Sequence, residues 1–149
     1  MSAYDDLIAR ADAEAAAGDH KEASIDYGRA LGLGGPRDRY CRWMRGVCAR
    51  RVGEQRLGLA DQHPERRSSF LDQAARWLTK SEACLASALE GADDGERARV
   101  RLEQARTEEV LARHLVMCGG DPGRRLSEAR RHREAAGTPP RPFTSGSRT

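Results

Sequence analysis

The sequence predicts an all-α protein, on three observations. The chain of 149 residues holds 23 Ala and 13 Leu against only 12 Val, Ile and Thr together, a balance that suits helices and lacks the β-branched side chains that pleated sheets favour. Six apolar-periodic segments follow one another, each opened by a capping residue or a proline and most of them closed by glycine. The connections between them are short, so consecutive helices are expected to pack antiparallel, as three hairpins.

The first segment, residues 3 to 17, begins behind Ser2, three residues before Asp5 in capping-box spacing, and carries the stripe Tyr4, Leu7, Ile8, Ala11 and Ala15. Asp19 and Glu22 repeat that spacing at the second, residues 20 to 33, with the stripe Ala23, Tyr27, Ala30 and Leu31. Pro36 precedes the third, residues 37 to 55, where Tyr40, Trp43, Met44, Val47 and Cys48 form the most aromatic stripe and Gly53-Glu54 marks a turn. The fourth runs from Pro64 to residue 90 along Leu71, Ala74, Leu78, Ser81, Leu85 and Ala88. The fifth, residues 94 to 118, follows Ala98, Leu102, Ala105, Leu111 and Leu115 with slight drift. Asp121 caps the sixth, residues 122 to 136, with Pro122 as its first residue. Together these make one domain over residues 1 to 137. Residues 138 to 149, GTPPRPFTSGSRT with its opening Gly137, have no period and several breakers, so they are expected to form a disordered tail.

Other classes are disfavoured by what is missing from the sequence. The first ten residues carry Asp5 and Asp6 and no basic and apolar leader, so no export signal is read there. The longest apolar stretch, Leu115 to Cys118, is far short of the roughly 20 residues that span a bilayer, so no membrane partner is expected. Cys41, Cys48, Cys84 and Cys118 form no CxxC pair, which points to reduced thiols in a cytoplasm.

The segment Gly18 to Pro36, GDHKEASIDYGRALGLGGP, resembles the second half of a tetratricopeptide repeat. That family places Ala, three residues, then an aromatic in its second helix and closes on Pro; here these are Ala23, Tyr27 and Pro36, with Ala30 and Leu31 following. Small Ala23 and Ala30 let two helices approach while Tyr27 fills the space beside them. The stretch Arg39 to Glu54, RYCRWMRGVCARRVGE, is similar to a first helix with Gly46 as its small residue, and the likeness weakens over residues 37 to 136. Centring the repeat on Gly46 would put Arg42 and Arg45 in the helix contact; the apolar stripe puts Tyr40, Trp43 and Val47 there, and the stripe is the reading preferred. The resemblance implies a right-handed stack of three hairpins with the first helix of each pair on a concave side, acting as an adaptor for a partner protein or peptide. Its open ends make self-association a secondary expectation.

Candidate chemistry concentrates on the third segment. Residues 37 to 67 hold nine basic and four acidic residues, whereas residues 1 to 36 hold three and seven. Arg39, Arg42, Arg45, Arg50 and Arg56 fall opposite the aromatic stripe, as a solvated face or as a pocket for acidic peptide, phosphate or nucleic acid. A regulatory subunit that binds an anionic ligand or nucleic acid through these arginines is therefore the alternative to the adaptor. Bases and aromatics are not interleaved as nucleotide stacking requires, which disfavours nucleic acid. Arg51 lies on the apolar side near the expected helix end, where it either satisfies terminal carbonyls or anchors a carboxylate beside Tyr40 and Trp43. A buried pair of Arg51 with Asp12 or Asp26 is a third reading. Tyr40, Trp43, Arg45, Arg50 and Arg51 are thus the candidate partner-binding residues. His114 and Cys118 stand i, i+4, half of a metal site or a base and thiol without a third group. With no phosphate-binding loop, dinucleotide fingerprint or zincin motif, no enzyme, cofactor or metal is expected, although catalysis by dispersed residues stays open.

Overall fold

The computed structural model describes residues 2–137, so the expected disordered tail, residues 138 to 149, lies outside the described residues. Six α-helices occupy the described chain: α1 (Ala3–Ala16), α2 (His20–Leu33), α3 (Asp38–Gln62), α4 (Arg67–Ala88), α5 (Asp94–Met117) and α6 (Gly123–Ala135), with no strand among the described residues. A single 3-10 turn, Pro64–Arg66, precedes α4.

Local signals account for most boundaries. Ser2 accepts the Asp5 amide at the start of α1, and Asp121 accepts the Gly123 amide at the start of α6. Gly18, Gly34, Gly91 and Gly119 end four helices with positive φ, where a Cβ would be strained. Asp93 and Glu96 form a reciprocal capping box at α5 that the sequence reading passed over. Between α2 and α3 the Tyr4 hydroxyl accepts the Arg37 amide at 2.7 Å and donates to Asp38 at 3.1 Å. A Cβ on Gly35 would meet that ring at 2.5 Å, so the turn is moulded around Tyr4.

The expected turn at Gly53-Glu54 does not form. Helix α3 continues to Gln62, because Gly53 serves helix packing: a Cβ there would meet Leu78 of α4 at 2.6 Å, and one on Gly46 would meet Leu85 at 2.8 Å. Glycines seven residues apart thus receive leucines seven residues apart in reverse order, which sets α3 and α4 antiparallel and in close approach. Their interface is the most extensive in the molecule. Ser81, fully buried beside it, donates to the Gly46 carbonyl at 2.8 Å and meets Thr107 of α5 at 3.0 Å. Gly46 therefore occupies the contact with α4, which the sequence reading gave to the aromatic stripe. Tyr40, Trp43 and Val47 are half-buried on other sides of α3, where Tyr40 and Trp43 pack against the molecule's apolar clusters.

Each helix packs chiefly on its neighbours in sequence, and α3 also touches α5. One apolar cluster ties α1, α2 and α3 through Ile8, Ala11, Ala23, Tyr27 and Cys41. A second joins α4 to α5 through Leu85, Ala88 and Val100, with Trp43 packed against it.

Candidate functional site

Helices α1, α3 and α5 line a groove of about 530 Å³, with His20 and Tyr27 of α2 at its edge. Ala15, Met44, Val47 and Cys48 supply apolar walls. The hydroxyls of Tyr27 and Tyr40 both donate to Asp12 Oδ1, at 2.5 and 2.7 Å, and pin that carboxylate against the groove. Burial first, and then these bonds to Asp12, push both phenols above their ordinary range, so neither ionises near neutrality. The Tyr40 ring meets Tyr27 and Trp43 edge-on, with the Arg37 guanidinium 4.5 Å from its centroid.

The basic side of the groove belongs to α3 and α5. Arg50 donates to Glu54 at 2.6 Å and to Glu103 of α5 at 3.2 Å, and Arg106 donates to Glu103 at 2.5 Å. Arg50 is only 7% exposed, which corrects its expected place on a solvated face: α5 covers it and Glu103 supplies the counter-charge. Arg51 is exposed at the rim and has no hydrogen-bond or ion-pair partner among the described residues. The capping reading of Arg51 fails because α3 runs 11 residues beyond it, to Gln62. The buried-pair reading fails as well: Asp26 is held by Arg10 and Arg29, and Asp12 by the two tyrosines. Burial, then the nearby charges of Arg51 and Arg50, lower the pKa of His20, which keeps its imidazole neutral beside them.

The structure thus brings Tyr40, Arg50 and Arg51 together in one groove. Trp43 lines an adjoining cavity of about 390 Å³ with Tyr40, Ala88 and Val100 below and Arg39, Glu96 and Arg99 around the rim. Arg45 joins neither; its guanidinium lies along Gly28 of α2, where a Cβ would meet it at 3.1 Å. Asp12, Tyr27, His20, Glu103 and Arg106 complete the groove, and sequence reasoning did not assign them to it. Tyr27 was legible as a packing residue, but no local signal shows that its hydroxyl shares a carboxylate with Tyr40.

Arg37, which precedes α3, and Arg39, Arg45 and Arg50 within it do not converge as one anion pocket. Arg39 pairs with Glu96 and the Gly91 carbonyl, Arg37 covers Tyr40, Arg45 covers Gly28, and Arg50 is held by acids. His114 and Cys118 do meet, at 3.7 Å. The same imidazole nitrogen faces the Leu71 carbonyl at 3.1 Å, so it carries its proton there and cannot take one from the thiol. Burial raises the pKa of Cys41 and Cys48 to about 11 and pushes Cys84 up as well, which keeps these thiols protonated. Among the described residues no three His, Cys, Asp or Glu side chains are grouped to hold a metal ion, and no helix is long and apolar enough to cross a membrane.

A further cavity of about 430 Å³ opens between α4, α5 and α6, lined by Glu82, Gln104, Thr107, Glu108 and His132. Arg125 of α6 donates to Glu82 at 2.7 Å and to Glu108 at 3.1 Å, bridging two carboxylates. Burial, then the hydrogen bond with Glu82, raises Glu108 to about 7. No family model, curated protein or solved structure matches the chain.

Proposed function

We propose that this chain is a protein-interaction adaptor, a tetratricopeptide-like stack that holds a segment of a partner protein in the groove of α1, α3 and α5. The observation that carries this reading is the pairing of an apolar wall, Met44 and Val47, with the unpaired guanidinium of Arg51 at its rim. Neighbouring charges are already committed: Asp12 holds two hydroxyls, and Arg50 and Glu103 hold each other. A partner must therefore bring a large apolar side chain for the wall and a carboxylate for Arg51.

Selection from a displayed peptide library on the immobilised protein tests this. The expected winners carry an acidic residue beside a bulky apolar one. Arg51→Met should weaken them about 10- to 100-fold, the range of a charge-assisted hydrogen bond, while the melting midpoint stays put. Winners indifferent to Arg51→Met would contradict the groove assignment. Tight binding of generic oligonucleotides that falls steeply with salt would replace it with the anionic-ligand or nucleic-acid alternative.

A further inference from the structure

The cavity of about 390 Å³ where α3, α4 and α5 meet is separate from the groove that the adaptor reading uses, except that Tyr40 borders both. Its apolar surface comes from Ala88 and Val100, 0% and 4% exposed, and from the rings of Tyr40 and Trp43, which meet edge-on at 6.2 Å. Neutral hydrogen-bonding groups on the lining side chains are already taken or closed off: the Tyr40 hydroxyl donates to Asp12 at 2.7 Å, and the Trp43 N–H is shielded from solvent. Such a lining favours a hydrocarbon ring over a sugar or another polyol, whose hydroxyls would lose water and find no partner.

Charge at the rim is unbalanced by one side chain. Arg39 is committed, donating to the Gly91 carbonyl at 2.6 Å and pairing with Glu96 at 3.2 Å. Glu96 is committed in turn, because the same carboxylate oxygen accepts the Asp93 amide at 3.0 Å in the capping box of α5. Arg99 is exposed and has no hydrogen-bond or ion-pair partner among the described residues. The acids within one helical turn of it are Glu96, three residues before, and Glu103, four after, and Glu103 is held by Arg50 and Arg106. The Arg99 guanidinium therefore stands over an apolar hollow with no acid of its own helix turn free to pair with it.

We propose that this cavity is a binding site for a small aromatic carboxylate, a flat ring carrying one carboxylate on a short chain. The ring packs on Trp43, Ala88 and Val100, and the carboxylate takes both ends of the Arg99 fork. One uncommitted cation balances a monoanion, and the volume, at the lower end of the roughly 300 to 1,000 Å³ of small-molecule sites, suits one ring with its side chain. A carboxylate at the end of a peptide offers the same two groups, but its amides would be stripped of water against a lining that cannot pair with them. The inference goes beyond the adaptor reading and does not rest on it.

The test titrates the full chain with 4-phenylbutyrate and with its uncharged analogue 4-phenylbutan-1-ol, following the Trp43 indole resonance by nuclear magnetic resonance. Trp77→Phe assigns that resonance, since the chain has two Trp. The acid, of about twelve non-hydrogen atoms, should shift it saturably with a Kd of about 1 mM or tighter, and the alcohol should bind about 5- to 10-fold more weakly. Arg99→Gln should weaken the acid by that same factor, a charge-assisted hydrogen bond discounted for an exposed rim, and leave the alcohol unchanged. Arg51→Met, on the other groove, should leave both unchanged. Arg99 is exposed, and an unaltered circular dichroism spectrum establishes that the variant folds. No saturable shift at 10 mM acid, approximately ten times the expected Kd, overturns the proposal, as does acid binding that ignores Arg99→Gln or follows Arg51→Met. An acetylated tetrapeptide ending in a free phenylalanine carboxylate is the remaining arm. It should bind more weakly than the free acid; tighter binding overturns the small-molecule assignment and makes the cavity an extension of the partner groove.

Discussion

Arg50 illustrates what a single residue's sequence position conceals. A helical wheel sets it opposite the aromatic stripe, but that construction assumes one covered face, and α3 is covered by α2, α4 and α5 together. The guanidinium and the Glu103 carboxylate, 7% and 5% exposed, then neutralise each other 3.2 Å apart. Removing Arg50 leaves the buried Glu103 with only the half-exposed Arg106 as its partner, so Arg50→Met should lower unfolding stability by about 1.5 to 3 kcal/mol in a urea titration. Adding Glu103→Leu should recover much of that loss, and a loss unaltered by the second change would deny the coupling. Glu108 is the second residue of this kind. Its folded pKa of about 7 stands above the ordinary carboxyl value of 4.5, so its protonated form favours the fold. That contribution is complete below about pH 4.5 and is lost as pH rises through about 7. His132 acts in the opposite sense: burial, then Arg101, depress its pKa, so its contribution is present above the unfolded value and lost on acidification. Glu108→Gln isolates the first effect by keeping an uncharged amide at every pH. Its stability relative to the parent should be about 2 kcal/mol more favourable at pH 8 than at pH 5, and a pH-independent difference would contradict the assignment.

At the scale of elements, α3 shows where the sequence was legible and where it was not. The periodicity of α1 and α2 predicted 3 to 17 and 20 to 33, within a residue of Ala3–Ala16 and His20–Leu33, because each has one stripe and local stop signals. For α3 the same logic ended the helix at residue 55, since Gly53 followed by an acid reads as a turn. Only the arrangement of α4 reveals that this glycine makes room for Leu78. The groove was partly legible for the same reason. Tyr40 and Arg51 follow from one helix's pattern, whereas Asp12 and Glu103 reach the groove from α1 and α5. Two glycines of α3 separate local propensity from packing. Gly58 has open space where a Cβ would stand, so Gly58→Ala should stabilise by about 0.5 to 1 kcal/mol through helix propensity alone. Gly53→Ala gains the same propensity but drives a methyl to 2.6 Å from Leu78, and overpacking of about 1 to 3 kcal/mol should outweigh it. Thermal unfolding of the two variants should therefore move in opposite directions. A stabilising Gly53→Ala would mean that α4 yields readily to α3.

Over the whole molecule, stability is expected to be uneven along the stack, because each helix leans mainly on its sequence neighbours. Helix α3 sits at the centre, sharing one apolar cluster with α1 and α2 and close glycine contacts with α4. Helix α6 is at the other extreme: only Ala129 and Arg133 are buried in it, and much of its attachment is ionic. Arg125 reaches Glu82 and Glu108, and Arg133 meets both oxygens of Glu109 at 2.8 and 3.0 Å. Ion pairs at a partly exposed interface weaken with salt, whereas the glycine–leucine contacts of α3 and α4 are apolar and dry and do not. Local opening of α6 should thus require less free energy than opening of α3 or α4, and the gap should widen as salt is added. Amide hydrogen exchange at about 0.05 M and about 0.5 M salt reads this directly, the Debye length falling between them from roughly 14 Å to roughly 4 Å. Weakening the ionic attachment by about 1 kcal/mol should speed α6 exchange about fivefold while the slowest amides of α3 and α4 hold their rate. Exchange of α6 in step with α3 at both concentrations would show instead that the six helices open as one unit, and that the ionic contacts of α6 are coupled to the core rather than appended to it.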